Sequence, residues 1–136
     1  MHQSEAGNTP AVIIFDSPEA YDRYLGERGI YPYVGGRAKG IAYKNQRPEV
    51  VIDAAFYLHA GIQPDYLAAI AAHEQTELNS NEPQAHQLAI QAEYEYMVEQ
   101  FGLEALQDYH ARLMQLFGGM DSERAGVLQM VITQGF

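Results

Sequence analysis

The sequence predicts an α+β fold, with a small N-terminal β-sheet covered by a layer of helices. Two observations carry that prediction. Between residues 11 and 53 the apolar residues fall in short β-branched runs separated by proline and glycine, and after Pro64 they recur with the period of a helix. Strands first and helices afterwards make an α+β arrangement. At 136 residues the chain suits one domain, 1–136, large enough to build a hydrophobic core without disulfide or metal staples.

Each element has a local cause. Ala11–Phe15 is a β-branched run stopped at Asp16-Ser17-Pro18, and it predicts a strand. Ser17 then reads as an N-cap with Pro18 at the first helical position, which opens a helix to about Gly26. The Gly- and Tyr-rich stretch 29–40 predicts extended segments at 31–34 and 40–44 about a Gly35-Gly36 turn. Glu49–Asp53 is the fourth strand. Pro64-Asp65 starts a helix to Asn79, Glu82-Pro83 one to Phe101, and Gly102 separates that from a third at 103–117. Gly118-Gly119 ends the third helix, and Asp121-Ser122 caps a last one at 122–133. Its apolar run Val127–Ile132 suits either the core or a dimer surface.

Composition removes several function classes. The absence of cysteine excludes disulfides, thiolate zinc sites, iron–sulfur clusters and cysteine nucleophiles. A formal charge of −10 argues against general nucleic-acid binding, which needs clustered Lys and Arg. No apolar stretch approaches the roughly 18 residues of a membrane helix, and Met1–Glu5 lacks the basic start of a signal peptide. The charge is uneven: six of the eight basic residues precede Pro48, whereas residues 48–136 hold Arg112 and Arg124 against thirteen acids. This predicts an acidic helical surface docked on a mildly basic sheet. No serine lies in a nucleophile elbow, and Gly35-Gly36 and Gly40 read as turn residues rather than a phosphate cradle.

The chemistry-bearing segment is His73-Glu74-Gln75-Thr76-Glu77, an H-E-x-x-E pattern within the 64–79 helix. Residues four apart stack on one helical face, so His73 and Glu77 can grip one metal ion together. Glu74, one step round, can reach a water on that ion without ligating it. With 5 His and 12 Glu in the chain, such a pattern with Glu or His at its last place is expected roughly 0.05 times by accident. Placement strengthens it. At about 100° per residue, Tyr66, Glu77 and Ile70 all fall within about 60° of His73, so the polar residues interleave with the apolar face. A buried carboxylate needs a partner, and a metal ion is one.

The next helix carries the same anomaly, because His86 and Glu93 sit in the apolar stripe formed by Ile90, Met97 and Phe101. A His73/Glu77/His86 set supplies two imidazoles and one carboxylate, which suits a catalytic zinc ion (Zn2+) with a fourth position open. Glu93 is either an alternative ligand or a carboxylate that orients His86. The same four residues also suit a purely structural polar network. His59 and His110 lack partners at ligand spacing and read as structural, as do most of the ten tyrosines.

The run His73-Glu74-x-x-Glu77, followed by Ala85-His86-x-x-Ala89-x-x-Ala92-Glu93, resembles zincin-type metallopeptidases of phage and prophage genomes. Those proteins pair an H-E-x-x-E helix with a downstream A-H-x-x-A-x-x-A-E helix, and the likeness covers residues 64–100. The resemblance implies His73 and Glu77 as metal ligands, Glu74 as general base and His86 or Glu93 as the remaining ligand. It implies zinc as cofactor, a peptide or protein substrate and a cytoplasmic setting, in a bacterial host or phage-encoded. It also implies a strand ahead of the active helix at the edge of the cleft, a place that Glu49–Asp53 would fill. The departure from H-E-x-x-H leaves the metal's identity open, since carboxylates select zinc less sharply than imidazoles do. Two other classes compete with this reading. One is a non-catalytic interaction or inhibitor module of phage type that binds through its acidic helices. The other is a di-metal carboxylate bundle, which wants Glu-x-x-His on two helices, and no Glu-x-x-His occurs in the chain.

Overall fold

The computed structural model describes residues 9–31, 36–80, 83–117 and 122–134. In chain order they form β1 (Ala11–Phe15), α1 (Pro18–Glu27), β2 (Ala38–Ile41), β3 (Glu49–Asp53) and α2 (Ala54–His59). A 3-10 turn at Pro64–Tyr66 leads into α3 (Leu67–Leu78), followed by α4 (Ala85–Phe101), α5 (Leu103–Leu116) and α6 (Ser122–Thr133). The α+β class holds, and no helix among the described residues is long and apolar enough to cross a membrane.

The sheet order is β1-β3-β2. β1 runs parallel to β3 from Ala11↔Glu49 to Phe15↔Asp53, and β2 runs antiparallel to it from Ala38↔Ile52 to Ile41↔Glu49. Glu49–Asp53 is therefore the central strand, and the expectation that it edges a cleft is corrected. Its Val50-Val51-Ile52 run is fully buried on both faces, the pattern of a strand with neighbours on either side and helices above and below. Val51 packs with Tyr21 and Leu25 of α1, while Val50 and Ile52 face the larger core under α3–α6. The edge strand beside α3 is β2.

Other boundaries shift for identifiable reasons. The second extended segment lies at 38–41 rather than 40–44, and Gly40 stands inside it rather than in a turn. A Cβ there would meet Leu78 Cγ at 2.6 Å, so glycine lets β2 approach α3 closely. Apart from Tyr31, the expected strand at 31–34 lies outside the described residues, as do Gly35, Glu82, Gly118, Gly119 and Asp121. Ser17 caps α1 as expected, accepting from the Ala20 amide at 3.1 Å. Helix α2 has no counterpart in the sequence reading. Asp53 ends β3 and caps α2 at once, its Oδ1 accepting from the Phe56 amide at 3.3 Å. No glycine or proline marks that change of direction.

Gly102, at φ 96°, turns the chain between α4 and α5 in a backbone region that favours glycine. Helix α3 packs along α4, which brings polar residues of the two helices together. Val127 and Val131 of α6 are buried in the main core, which places that face of the C-terminal apolar run inside the fold.

Candidate metal centre

The α3–α4 seam opens into a cleft of about 700 Å3. His73, Glu74 and Glu77 of α3 line it, with His86 and Glu93 of α4, and Ala38, Lys39 and Gly40 of β2 form another wall. Ile70, Leu78, Leu113 and Phe117 supply apolar lining, and Tyr57 and Arg124 complete the polar part. All five residues singled out in the sequence meet in this one place.

His73, Glu77 and His86 form a group that could hold a metal ion, each offering a ligand atom within 4.8 Å of the others'. Glu77 Oε2 lies 3.3 Å from His73 Nε2 and 2.8 Å from His86 Nδ1. The two imidazole centroids are 5.2 Å apart. His73 is buried while His86 is exposed, so the group spans the depth of the cleft wall. The donor set fits a zinc-type ion: three protein ligands, nitrogen and oxygen, with room on the cleft side.

Glu93 is not gathered into that group. Its Oε1 lies 2.7 Å from His73 Nδ1, so it addresses the far side of His73 and not His86. The sequence reading makes it an alternative ligand or the partner of His86; its hydrogen bond goes to His73 instead. With Nδ1–H donated to Glu93, His73 presents Nε2 towards Glu77. Tyr109 of α5 donates its hydroxyl to Glu93 Oε2 at 2.5 Å, and Arg124 Nη1 of α6 reaches both Glu93 oxygens at 3.1 Å.

The electrostatics follow from this crowding. Burial would lower the His73 pKa, but hydrogen bonds to Glu77 and Glu93 outweigh it and raise it to about 10. Two carboxylates thus create a place for positive charge at this imidazole, which a proton or a metal ion can fill. Hydrogen bonds from His73 and His86 hold Glu77 at about 2. Burial pushes Glu93 up, but the Arg124 charge and the hydrogen bonds from His73 and Tyr109 hold it at about 2. Glu74 behaves oppositely. Burial pushes it up to about 7, with Glu77 and Glu93 adding and His73 opposing. That value suits a group that must both take and give a proton near neutrality.

His59 is exposed at the end of α2, and His110 is hydrogen-bonded to the Tyr94 hydroxyl at 2.7 Å; neither lines the cleft. Tyr109, Arg124 and Lys39 were not anticipated. Only Arg124 had a visible signal, as one of two cations in an otherwise acidic stretch. Comparison with family models, with curated proteins and with solved structures finds no significant match, so the functional reading rests on this geometry.

Proposed function

We propose that this protein is a metal-dependent hydrolase of the peptidase class, with zinc as the expected ion. The observation that carries the reading is the convergence of His73, Glu77 and His86 beside Glu74 in one cleft. A bound zinc supplies Lewis-acid polarisation of a scissile carbonyl and makes the attacking water more acidic. The chain's own groups do the rest. Glu74 takes the proton from the attacking water onto its carboxylate and returns it to the leaving nitrogen. Glu93 holds the proton on His73 Nδ1. The edge strand β2 offers main-chain groups to an extended peptide, and Ile70, Leu113 and Phe117 suit an apolar substrate side chain.

The test is metal content per chain by elemental analysis on untagged protein, beside cleavage of a mixed peptide library read by mass spectrometry. The parent and Glu74→Gln should each carry one zinc, and the variant should cleave at least about 100-fold more slowly. Equal cleavage by the two would remove Glu74 from its role. No stoichiometric metal, even after zinc is supplied, would overturn the hydrolase.

One observation favours a second reading, the non-catalytic interaction module. Both ring nitrogens of His73 already meet carboxylates, so the buried imidazolium is satisfied by protein groups alone. That reading predicts no bound metal and no change in Tm on adding a chelator.

A further inference from the structure

Glu93 is 1% exposed, and its two oxygens face three donors from three different helices. His73 Nδ1 of α3 stands 2.7 Å from Oε1, Tyr109 Oη of α5 2.5 Å from Oε2, and Arg124 Nη1 of α6 3.1 Å from each. Arg124 is itself buried, with its guanidinium 5.8 Å from the centroids of both the Tyr94 and Phe117 rings. Its Nη1 also lies 3.4 Å from the Tyr94 hydroxyl. The preceding residue, Glu123, has Oε1 3.8 Å from His86 Nε2. The first turn of α6 therefore addresses both imidazoles, one through Glu93 and one directly.

A carboxylate that only filled a hole in the core would need any donors it could find. Here the donors divide its oxygens: Tyr109 claims Oε2 and Arg124 straddles the two, which leaves Oε1 aimed at His73. We infer that Arg124 and Tyr109 are positioning residues for the metal centre, clamping Glu93 so that His73 keeps its proton on Nδ1 and presents Nε2 to the cleft. This rests on the metal-site reading proposed above. Without the clamp Glu93 turns towards other donors, and the imidazole loses the partner that sets its tautomer and ring angle. Groups in this relation to a ligating histidine change metal affinity by about 10- to 100-fold. The C-terminal helix, distant in sequence from the His73–Glu93 segment, is then part of the centre.

The inference is tested on the full chain with zinc as the probe. Tyr109→Phe keeps the ring and removes one donor, Arg124→Met removes the charge at similar length, and Arg124→Lys restores a cation without the fork. Dissociation constants come from competition with a chromophoric chelator. Long-range 1H–15N spectra of the zinc-loaded proteins report which ring nitrogen of His73 is protonated. Tyr109→Phe and Arg124→Met should bind zinc about 10- to 100-fold more weakly, with the Nδ1–H signature of His73 weakened, and Arg124→Lys should recover part of both. Circular dichroism checks folding; if Arg124→Met does not fold, Tyr109→Phe and Arg124→Lys decide. Folded variants that match the parent in affinity and tautomer overturn the clamp alone. A parent that takes up no zinc overturns the metal reading, and the clamp with it.

Discussion

Arg37 centres a partly buried arginine–carboxylate cluster and Arg124 a buried one, and the two end differently. In the first, Arg37 Nε lies 2.8 Å from Asp53 Oδ2 and Nη2 lies 2.9 Å from Asp22 Oδ1, while its amide donates to the Tyr57 hydroxyl at 3.0 Å. Asp53 in turn caps α2. The bonds of this cluster tie Arg37, just ahead of β2, to α1, β3 and α2. In the second, Arg124 and Tyr109 hold Glu93 just as firmly, but Glu93 passes the constraint to His73 at a cleft wall. There three carboxylates, Glu74, Glu77 and Glu93, line the cleft with Lys39 and Arg124. The first cluster closes on itself, whereas the second leaves a place for a cation. An arginine–carboxylate pair in a core is thus not in itself a sign of function; what the carboxylate does with its remaining lone pairs tells the two apart.

The difference can be probed in order of expected size. The largest effect should come from acid, acting on the metal-free protein. Glu77 and Glu93 have folded pKa values of about 2, below the ordinary 4.5, so they release protons on folding. The stability they contribute is present above pH 4.5 and is lost as the pH falls towards 2. Urea midpoints measured across that window should drop steeply, and a Glu77→Gln/Glu93→Gln variant should show a flatter profile. An equally steep profile in the variant would place the acid sensitivity elsewhere.

Asp53→Ala comes next. It removes the α2 cap and leaves Arg37 paired with Asp22 alone, and losing the cap and a charged hydrogen bond together should destabilise the fold by about 2–5 kcal/mol in urea unfolding. The folded fraction should still bind zinc as the parent does, because no bond of that cluster reaches His73, Glu77 or His86. Loss of zinc from folded Asp53→Ala would merge the two clusters into one.

The smallest effect should come from Gly40→Ala. The added methyl meets the Leu78 side chain at the β2–α3 contact, and that overpacking should cost about 1–3 kcal/mol. Since β2 is also a cleft wall, zinc affinity should hold while peptide cleavage slows. A fall in zinc affinity instead would mean that β2 sets the position of α3.

Much of the site is legible in the sequence. His73 and Glu77 share a face because helix geometry alone places residues four apart together. His86 and Glu93, seven apart, share a stripe for the same reason. Ser17, Pro18 and Gly102 act locally and were legible for that reason. The misreadings have physical causes as well. The start of α2 at Ala54 was hidden because Asp53 serves strand and cap in one residue. The run Val50-Val51-Ile52 did signal a strand buried on both faces, and the edge role contradicted that signal.

Local chemistry therefore settled every helix but α2, the α+β class and the pairs of polar residues that share a face within α3 and within α4, since these depend on neighbours a few residues away. Packing settled what lies between elements. The packing of α3 on α4 sets Glu77 beside His86, and no spacing along the chain encodes that distance. Packing also made Glu93 the partner of His73 rather than of His86. It recruited Tyr109 and Arg124 from helices that carry no motif of their own, because a fully buried carboxylate must collect its donors from whatever surrounds it in space.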